Sequence, residues 1–63
     1  MSIEEKLYEN GPVMVYYDVV CHEYLVCQNE GVRRIDHARY PVTDAGLADA
    51  KKRCDELASK VQS

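Results

Sequence analysis

Residues 13–28 of this chain read VMVYYDVVCHEYLVCQ. β-branched and aromatic residues dominate this segment, and such residues favour strands in a half-buried sheet. Sixteen residues exceed the usual length of one strand, so we predict two strands, at about 13–19 and 22–28, with a reversal near 18–22. The segment therefore indicates a hairpin at the centre of the fold.

A third strand is predicted downstream, at about 32–38. Residues 29–31 (NEG) suit a three-residue hairpin loop, because their glycine can adopt the left-handed backbone region without steric cost. This loop would set Leu25 opposite Ile35. A shift of one residue would place Val26 there instead and would change which face of the sheet is buried, and the sequence leaves both registers open.

A long helix is predicted at about 44–61. Thr43 is a suitable N-cap, whereas Gly46 in the first turn is a small liability for a helix. Apolar residues recur at spacings of three and four, at Leu47, Ala50, Cys54, Leu57 and Val61. This narrow stripe is typical of a helix that packs on one face of a sheet and leaves the other face uncovered.

A short helix is predicted at the N-terminus, at about 3–9. Ser2 and Glu5 have the spacing of a capping box, and Gly11 and Pro12 would end the helix. Residues 1–63 are thus expected to form one α+β domain. It has a short helix, a three-stranded antiparallel meander and a long C-terminal helix on one sheet face.

Length and composition exclude several classes of protein. The chain has 63 residues, of which 46% are hydrophobic and 30% charged, as in folded chains rather than disordered ones. No apolar run reaches the length of a membrane span, and the first residues lack the features of a secretory signal. Three cysteines, an odd number, fit a reducing compartment, so a cytoplasmic location is expected (the host cytoplasm if the chain is phage-encoded).

Charge is distributed unevenly along the chain. Residues 1–32 carry six acidic side chains and one basic one, whereas residues 33–63 carry five acidic and seven basic ones. We predict that the early acids form one negative patch beside tyrosines, which are enriched in binding surfaces. The predicted partner-binding residues are Glu4, Glu5, Glu9, Tyr16, Asp18, Glu23, Tyr24 and Glu30.

Catalytic, cofactor and metal sites are not expected. The cysteines and histidines lack the C-x-x-C and H-x₃₋₅-H spacings that allow a short turn to hold a metal ion. Cys21 and His22 are adjacent, so on a strand they would point to opposite faces and could not act as a pair. Phosphate-binding and nucleophile-elbow motifs are also missing from the sequence. An enzyme is therefore not expected.

Three strands followed by a helix over residues 13–61, with the segment GVRRI at 31–35, resemble the AP2 and integrase arm-binding domains. That resemblance implies a sheet that reads DNA, with Arg33, Arg34 and Arg39 as contacts. In size, acidity and build the chain also resembles the small phage inhibitors of the anti-CRISPR type, which implies a non-catalytic inhibitor that covers a basic surface of a protein or ribonucleoprotein complex. A third alternative is an assembly subunit that pairs with its own copies, so a monomer and a homodimer both stay open.

Overall fold

The computed structural model describes residues 3–62, with side chains through residue 61. Four antiparallel strands form one sheet in chain order, and a C-terminal helix packs on one face of it. The elements are β1 (Glu4–Asn10), β2 (Val13–Asp18), β3 (Glu23–Glu30), β4 (Arg33–Pro41) and α1 (Asp44–Gln62). The predicted α+β class, antiparallel sheet and long C-terminal helix are confirmed, but the described residues form four strands rather than three.

The N-terminal segment is a strand, so the helix predicted at about 3–9 is wrong. A helix of two turns is only marginally stable in water, whereas an extended segment gains hydrogen bonds by pairing with β2. Gly11 and Pro12 form the two-residue turn that joins the two strands, with Gly11 at a φ of 60°. Ser2, the predicted N-cap, lies outside the described residues.

The hairpin between β3 and β4 has a two-residue loop, with Gly31 at a φ of 62°. The predicted three-residue loop is therefore wrong, and so are both registers derived from it. Ile35 lies opposite Gln28, and Leu25 lies opposite Arg39. The loop lies at residues 31–32 rather than 29–31, which shifts the pairing by three residues, and the extra residue in β4 shifts the partner of Leu25 by one more.

Both edge strands contain a β-bulge. Leu7 is the extra residue in β1, and His37 is the extra residue in β4. An extra residue inverts the alternation of side chains between the two faces from that point onward. Tyr8 therefore lies on the face that the helix covers, whereas Arg39 lies on the opposite face.

The main core lies between α1 and the sheet. It is built from Val13, Val15, Val26, Ala50, Cys54, Leu57 and Ala58. The backbone N–H of Gly46 donates to Thr43 Oγ1 at 2.9 Å, so the predicted N-cap is confirmed. The two ends of the predicted stripe lie outside this core, because Leu47 is only partly buried and Val61 is 45% exposed. Within residues 3–62, no helix combines the length and the apolar character that crossing a bilayer requires.

Gly46 occupies a constrained position at the start of α1. A Cβ atom there would lie 1.9 Å from the carbonyl oxygen of Pro41. The connection between β4 and α1 is therefore so tight that it requires a residue without a side chain. The sequence-based interpretation of Gly46 as a small liability is wrong for this reason.

Candidate functional site

The face of the sheet opposite α1, called the helix-free face here, carries most of the predicted contact residues. Strand alternation and the observed registers define its members. They are Glu4, Lys6, Glu9, Met14, Tyr16, Asp18, Glu23, Leu25, Cys27, Asn29, Arg34, Asp36 and Arg39. Five carboxylates and three cations thus surround a small apolar centre.

The apolar centre of this face is fully covered although no helix packs on it. Leu25 and Cys27 are 0% exposed, and Met14 is 3% exposed. Tyr16 packs against these three side chains, and its hydroxyl donates to the sulfur of Met14 at 3.5 Å. Burial raises the pKa of the Cys27 thiol. The sheet therefore has a second, smaller core on its helix-free face.

Arg34 and Glu4 close over this second core. Arg34 Nη1 donates to Glu4 Oε1 at 2.7 Å, and Arg34 Nη2 donates to Glu4 Oε2 at 3.0 Å. Glu4 is the first residue of β1 and Arg34 the second residue of β4, so they lie at diagonal corners of the sheet, and the twist of a sheet moves such corners toward one face. The hydrogen bonds to Glu4 raise the pKa of Arg34 above its usual range. Arg34 therefore spans the face.

Two further contacts hold the guanidinium of Arg34 in place. Its Nε lies 3.3 Å from Asp36 Oδ1. Its central carbon lies 5.9 Å from the centre of the Tyr16 ring, within the range of a cation–π contact. A guanidinium that is hydrogen-bonded to a carboxylate and lies over an aromatic ring is oriented more narrowly than an ammonium could be.

A second ion pair, between Arg39 and Asp18, crosses the face near the turn that joins β2 and β3. Arg39 Nη1 donates to Asp18 Oδ2 at 3.1 Å and lies 3.6 Å from Glu23 Oε1. The other carboxylate oxygen of Asp18 accepts the backbone N–H groups of Val20 and Cys21 at 3.0 and 3.1 Å. These hydrogen bonds, the backbone one from Cys21 first and that from Arg39 next, lower the pKa of Asp18. Asp18 is therefore buried and stabilises the turn by accepting its backbone N–H groups.

The structure brings five of the eight predicted partner-binding residues onto the helix-free face. They are Glu4, Glu9, Tyr16, Asp18 and Glu23. Glu5, Tyr24 and Glu30 lie on the other side of the sheet, and Tyr24 packs against the main core.

The predicted patch of uncompensated negative charge is wrong in one respect. Each of the four predicted acids that lie on the helix-free face pairs with a cation. The pairs are Glu4 with Arg34, Glu9 with Lys6, and Asp18 and Glu23 with Arg39. Arginines from the later half of the chain therefore neutralise much of the early negative charge.

The arginines of the DNA-binding alternative are divided between the two faces. Arg34 and Arg39 share the helix-free face, whereas Arg33 lies at the hairpin, opposite Glu30 on the other side of the sheet. The bulge at His37 is what brings Arg34 and Arg39 together, because simple alternation would place residues five positions apart on opposite faces.

Exposed apolar side chains lie at one end of the sheet. The backbone N–H of Val19 donates to the carbonyl of Ile3 at 2.9 Å, and these residues are 52% and 59% exposed. Val20, the next residue in the turn, is 72% exposed. The helix-free face thus borders an apolar rim at the end where Asp18 organises the turn.

Groups suited to chemistry do not converge in the part of the chain that the structure describes. Within it, no three His, Cys, Asp or Glu side chains lie close enough to share a metal ion, and no pocket opens on its surface. Cys21 is exposed, whereas Cys27 and Cys54 are buried in the two cores. Tyr17 and His22 form a hydrogen bond of 2.7 Å beside Cys21, with His22 in the left-handed region at a φ of 57°.

Comparison of the chain with protein-family models, with curated proteins and with solved structures found no match to any of them.

Sequence reasoning missed six members of the helix-free face: Lys6, Met14, Leu25, Cys27, Asn29 and Asp36. Lys6 lay in a segment predicted as a helix, and the positions of the other five depend on the register. The alternation of residues 13–18 and 23–28 did contain a signal, because it predicts that Met14 and Tyr16 share a face. The bulges at Leu7 and His37 have no sequence signature in this chain.

Proposed function

We propose that this protein is a non-catalytic binding protein that covers a surface of a macromolecular partner with its helix-free face. The observation that carries the proposal is the set of partly exposed ion pairs on the helix-free face, which surround the buried apolar side chains of the second core. A partner can exchange such pairs for equivalent ones of its own, and Tyr16 lies among them as an aromatic anchor. A surface of this kind is suited to recognition rather than to chemistry on a bound substrate.

The narrower form of the proposal is an inhibitor that blocks a basic, nucleic-acid-binding surface of a host protein complex, as anti-CRISPR proteins do. The excess of carboxylates over cations on the helix-free face supports it. An inhibitor that binds through unpaired negative charge alone is less well supported, because four of the six early acids have cationic partners. Contact by Tyr16 and the exchange of ion pairs must therefore contribute to binding.

Direct binding of DNA by the sheet is the second candidate function. The common face of Arg34 and Arg39 favours it, because guanidinium groups on one sheet face can bind phosphates. Both guanidinium groups are already hydrogen-bonded to carboxylates, and those carboxylates would repel a phosphate backbone. A protein surface is therefore the better-supported partner.

Site-directed photo-crosslinking tests which face binds. A photoreactive phenylalanine analogue replaces Tyr16 in one variant and Glu56, on the exposed side of α1, in a matched control. In cells of the organism that encodes the protein, we expect the variant at position 16 to crosslink to one protein. Equal crosslinking from both positions, or none from position 16, would contradict the proposal.

Charge reversal and a duplex shift assay test the narrower forms. Glu23→Lys lies on the helix-free face and should weaken binding to the crosslinked partner, whereas Glu30→Lys on the other side should leave it unchanged. Retention of a short DNA duplex at low salt that is lost as salt rises would support direct DNA binding instead.

A further inference from the structure

The two edge strands of the sheet carry opposite charge. β1 presents three glutamates and one lysine, whereas β4 presents three arginines and one aspartate. An edge strand also has a row of backbone N–H and C=O groups that can pair with another chain. We propose that β4 of one copy pairs with β1 of a second copy, so that the protein assembles edge to edge with itself.

One antiparallel register matches the charges of the two strands. In this register all three pairs on the helix-free face join side chains of opposite sign, and opposite charges directly across a strand pair are stabilising. The pairs are Arg34 with Glu9, Asp36 with Lys6, and Arg39 with Glu4 of the second copy.

The two bulges make this register possible. Leu7 and His37 each add one residue within the matched stretch, so the alternation of faces stays in phase along both strands. On the other face, Ile35 would then lie opposite Tyr8 of the second copy. If only one of the two strands had a bulge, their side chains would alternate out of phase beyond it. Residues that share a face at one end of the pairing would then lie on opposite faces at the other end, and their charges could not pair.

Neighbouring registers are unfavourable. A shift of two residues in one direction sets Asp36 opposite Glu9 and Arg39 opposite Lys6. The opposite shift sets Asp36 opposite Glu4 and Arg34 opposite Lys6. Like charges directly opposite each other destabilise a strand pair, so the charge pattern selects one register against its neighbours.

The helices do not obstruct the contact. Four strands span about 19 Å across the sheet, whereas a helix is about 10–12 Å in diameter. A second copy continues the antiparallel meander with its α1 on the same face.

Because the contact joins two different edges, each pair of copies retains one free edge of each kind, and assembly continues beyond a dimer unless a ring closes.

The pair of Lys6 and Asp36 gives the sharpest test. Both side chains are about half exposed, at 49% and 47%, and they lie on opposite edges of the sheet. Lys6→Glu sets two carboxylates opposite each other across the contact, and Asp36→Lys sets two ammonium groups opposite each other. The double variant restores an attractive pair with its sign reversed, which neither single variant can do.

The association of the four proteins is measured by sedimentation velocity from micromolar to millimolar concentration at low salt, where surface charge is least screened. We expect the wild type to form species larger than a dimer, each single variant to lose about tenfold or more in association constant, and the double variant to recover most of it. Lys52→Glu and Asp49→Lys on α1 are the matched controls and should associate like the wild type.

Three results would overturn the proposal. They are a wild type that is monomeric at every concentration, a double variant that stays as weak as the single ones, and an effect of only one of the two single variants. The last result would indicate a symmetric contact of one edge with itself. Far-UV circular dichroism and urea midpoints check that each variant is folded.

A second measurement requires no substitution. Isotopically light and heavy copies of the wild type are mixed and treated with a carbodiimide, which joins ammonium and carboxylate groups in direct contact. We expect a light–heavy peptide pair linked through Lys6 and Asp36. Its absence, with other light–heavy links present, would overturn the proposed register.

Discussion

Arg34 and Glu4 form a bidentate ion pair that joins the two edge strands across the whole width of the sheet. Thirty positions separate the two residues in the chain. The guanidinium of Arg34 lies 5.9 Å from the centre of the Tyr16 ring, and Tyr16 packs against Leu25 and Cys27, which are 0% exposed although no helix covers them. This ion pair therefore helps to cover the second core, as a second layer of secondary structure would.

We expect Arg34→Lys and Glu4→Gln to destabilise the protein less than additively when combined. Lysine keeps the charge but cannot form the two parallel hydrogen bonds. Arg34 is 40% exposed and Glu4 22% exposed, so solvent screening limits the coupling energy to about 1 kcal/mol or less. Urea unfolding of both single variants and the double variant measures it. Arg33→Lys is the control, and strict additivity would contradict a direct interaction.

Thiol reactivity should report the covering of the second core. In the native protein we expect Cys21 to react rapidly with a disulfide reagent, while Cys27 and Cys54 stay protected because burial raises their pKa and blocks access. Leu25→Ala removes a fully buried side chain at a cost of about 2–5 kcal/mol and should release Cys27 first. Peptide mapping after brief labelling identifies the thiols. Equal rates for all three in the native protein would contradict the buried placement.

Acid should weaken the fold partly through Asp18. Its pKa is lowered in the folded state, so its contribution to stability is present above the unfolded pKa of about 4 and is lost as the pH falls through the folded pKa. Asp18→Asn should lower the melting temperature at neutral pH and flatten its decline below about pH 4. Thermal melts from neutral pH into acid test this, with Asp49→Asn as the control. If the melting temperature of the Asp18→Asn variant falls below about pH 4 as steeply as that of the wild type, other groups cause the acid sensitivity.

Two glycines should resist substitution for different reasons. Gly46→Ala should destabilise the fold by about 1–3 kcal/mol because its Cβ would collide with the Pro41 carbonyl, although alanine favours a helix. Gly31 has a φ of 62° and open space around it, so Gly31→Asn should cost less than Gly31→Ala. Urea midpoints decide both. A neutral Gly46→Ala would show that the connection can relax.

Local signals predicted the elements whose residues determine their own conformation. The stripe from Leu47 to Leu57 predicted α1, and the β-branched residues of 13–28 predicted β2 and β3 within two residues at each end. The N-terminal segment was predicted wrongly because a capping-box spacing and two apolar residues are compatible with a short helix. Its pairing with β2 is a tertiary interaction that overrides such weak local preferences.

Most of the helix-free face could not be predicted, because its membership depends on register. A two-residue loop at Gly31 and bulges at Leu7 and His37 decide which side chains share that face. Each bulge shifts the alternation by one residue and the loop shifts the register by three, and any odd shift moves a side chain to the other face. The acids were correctly seen as clustered in the chain, but their partners were not foreseen.

The sequence by itself determined that this chain forms an antiparallel sheet with a helix on one face, because strand propensity and helical periodicity are properties of neighbouring residues. Only the tertiary structure decided that Arg34 meets Glu4 and that Arg39 meets Asp18, and so removed the bare negative patch. The physical reason is that bulges and sheet twist set the distances between residues far apart in the chain, and the electrostatics of a surface depend on those distances.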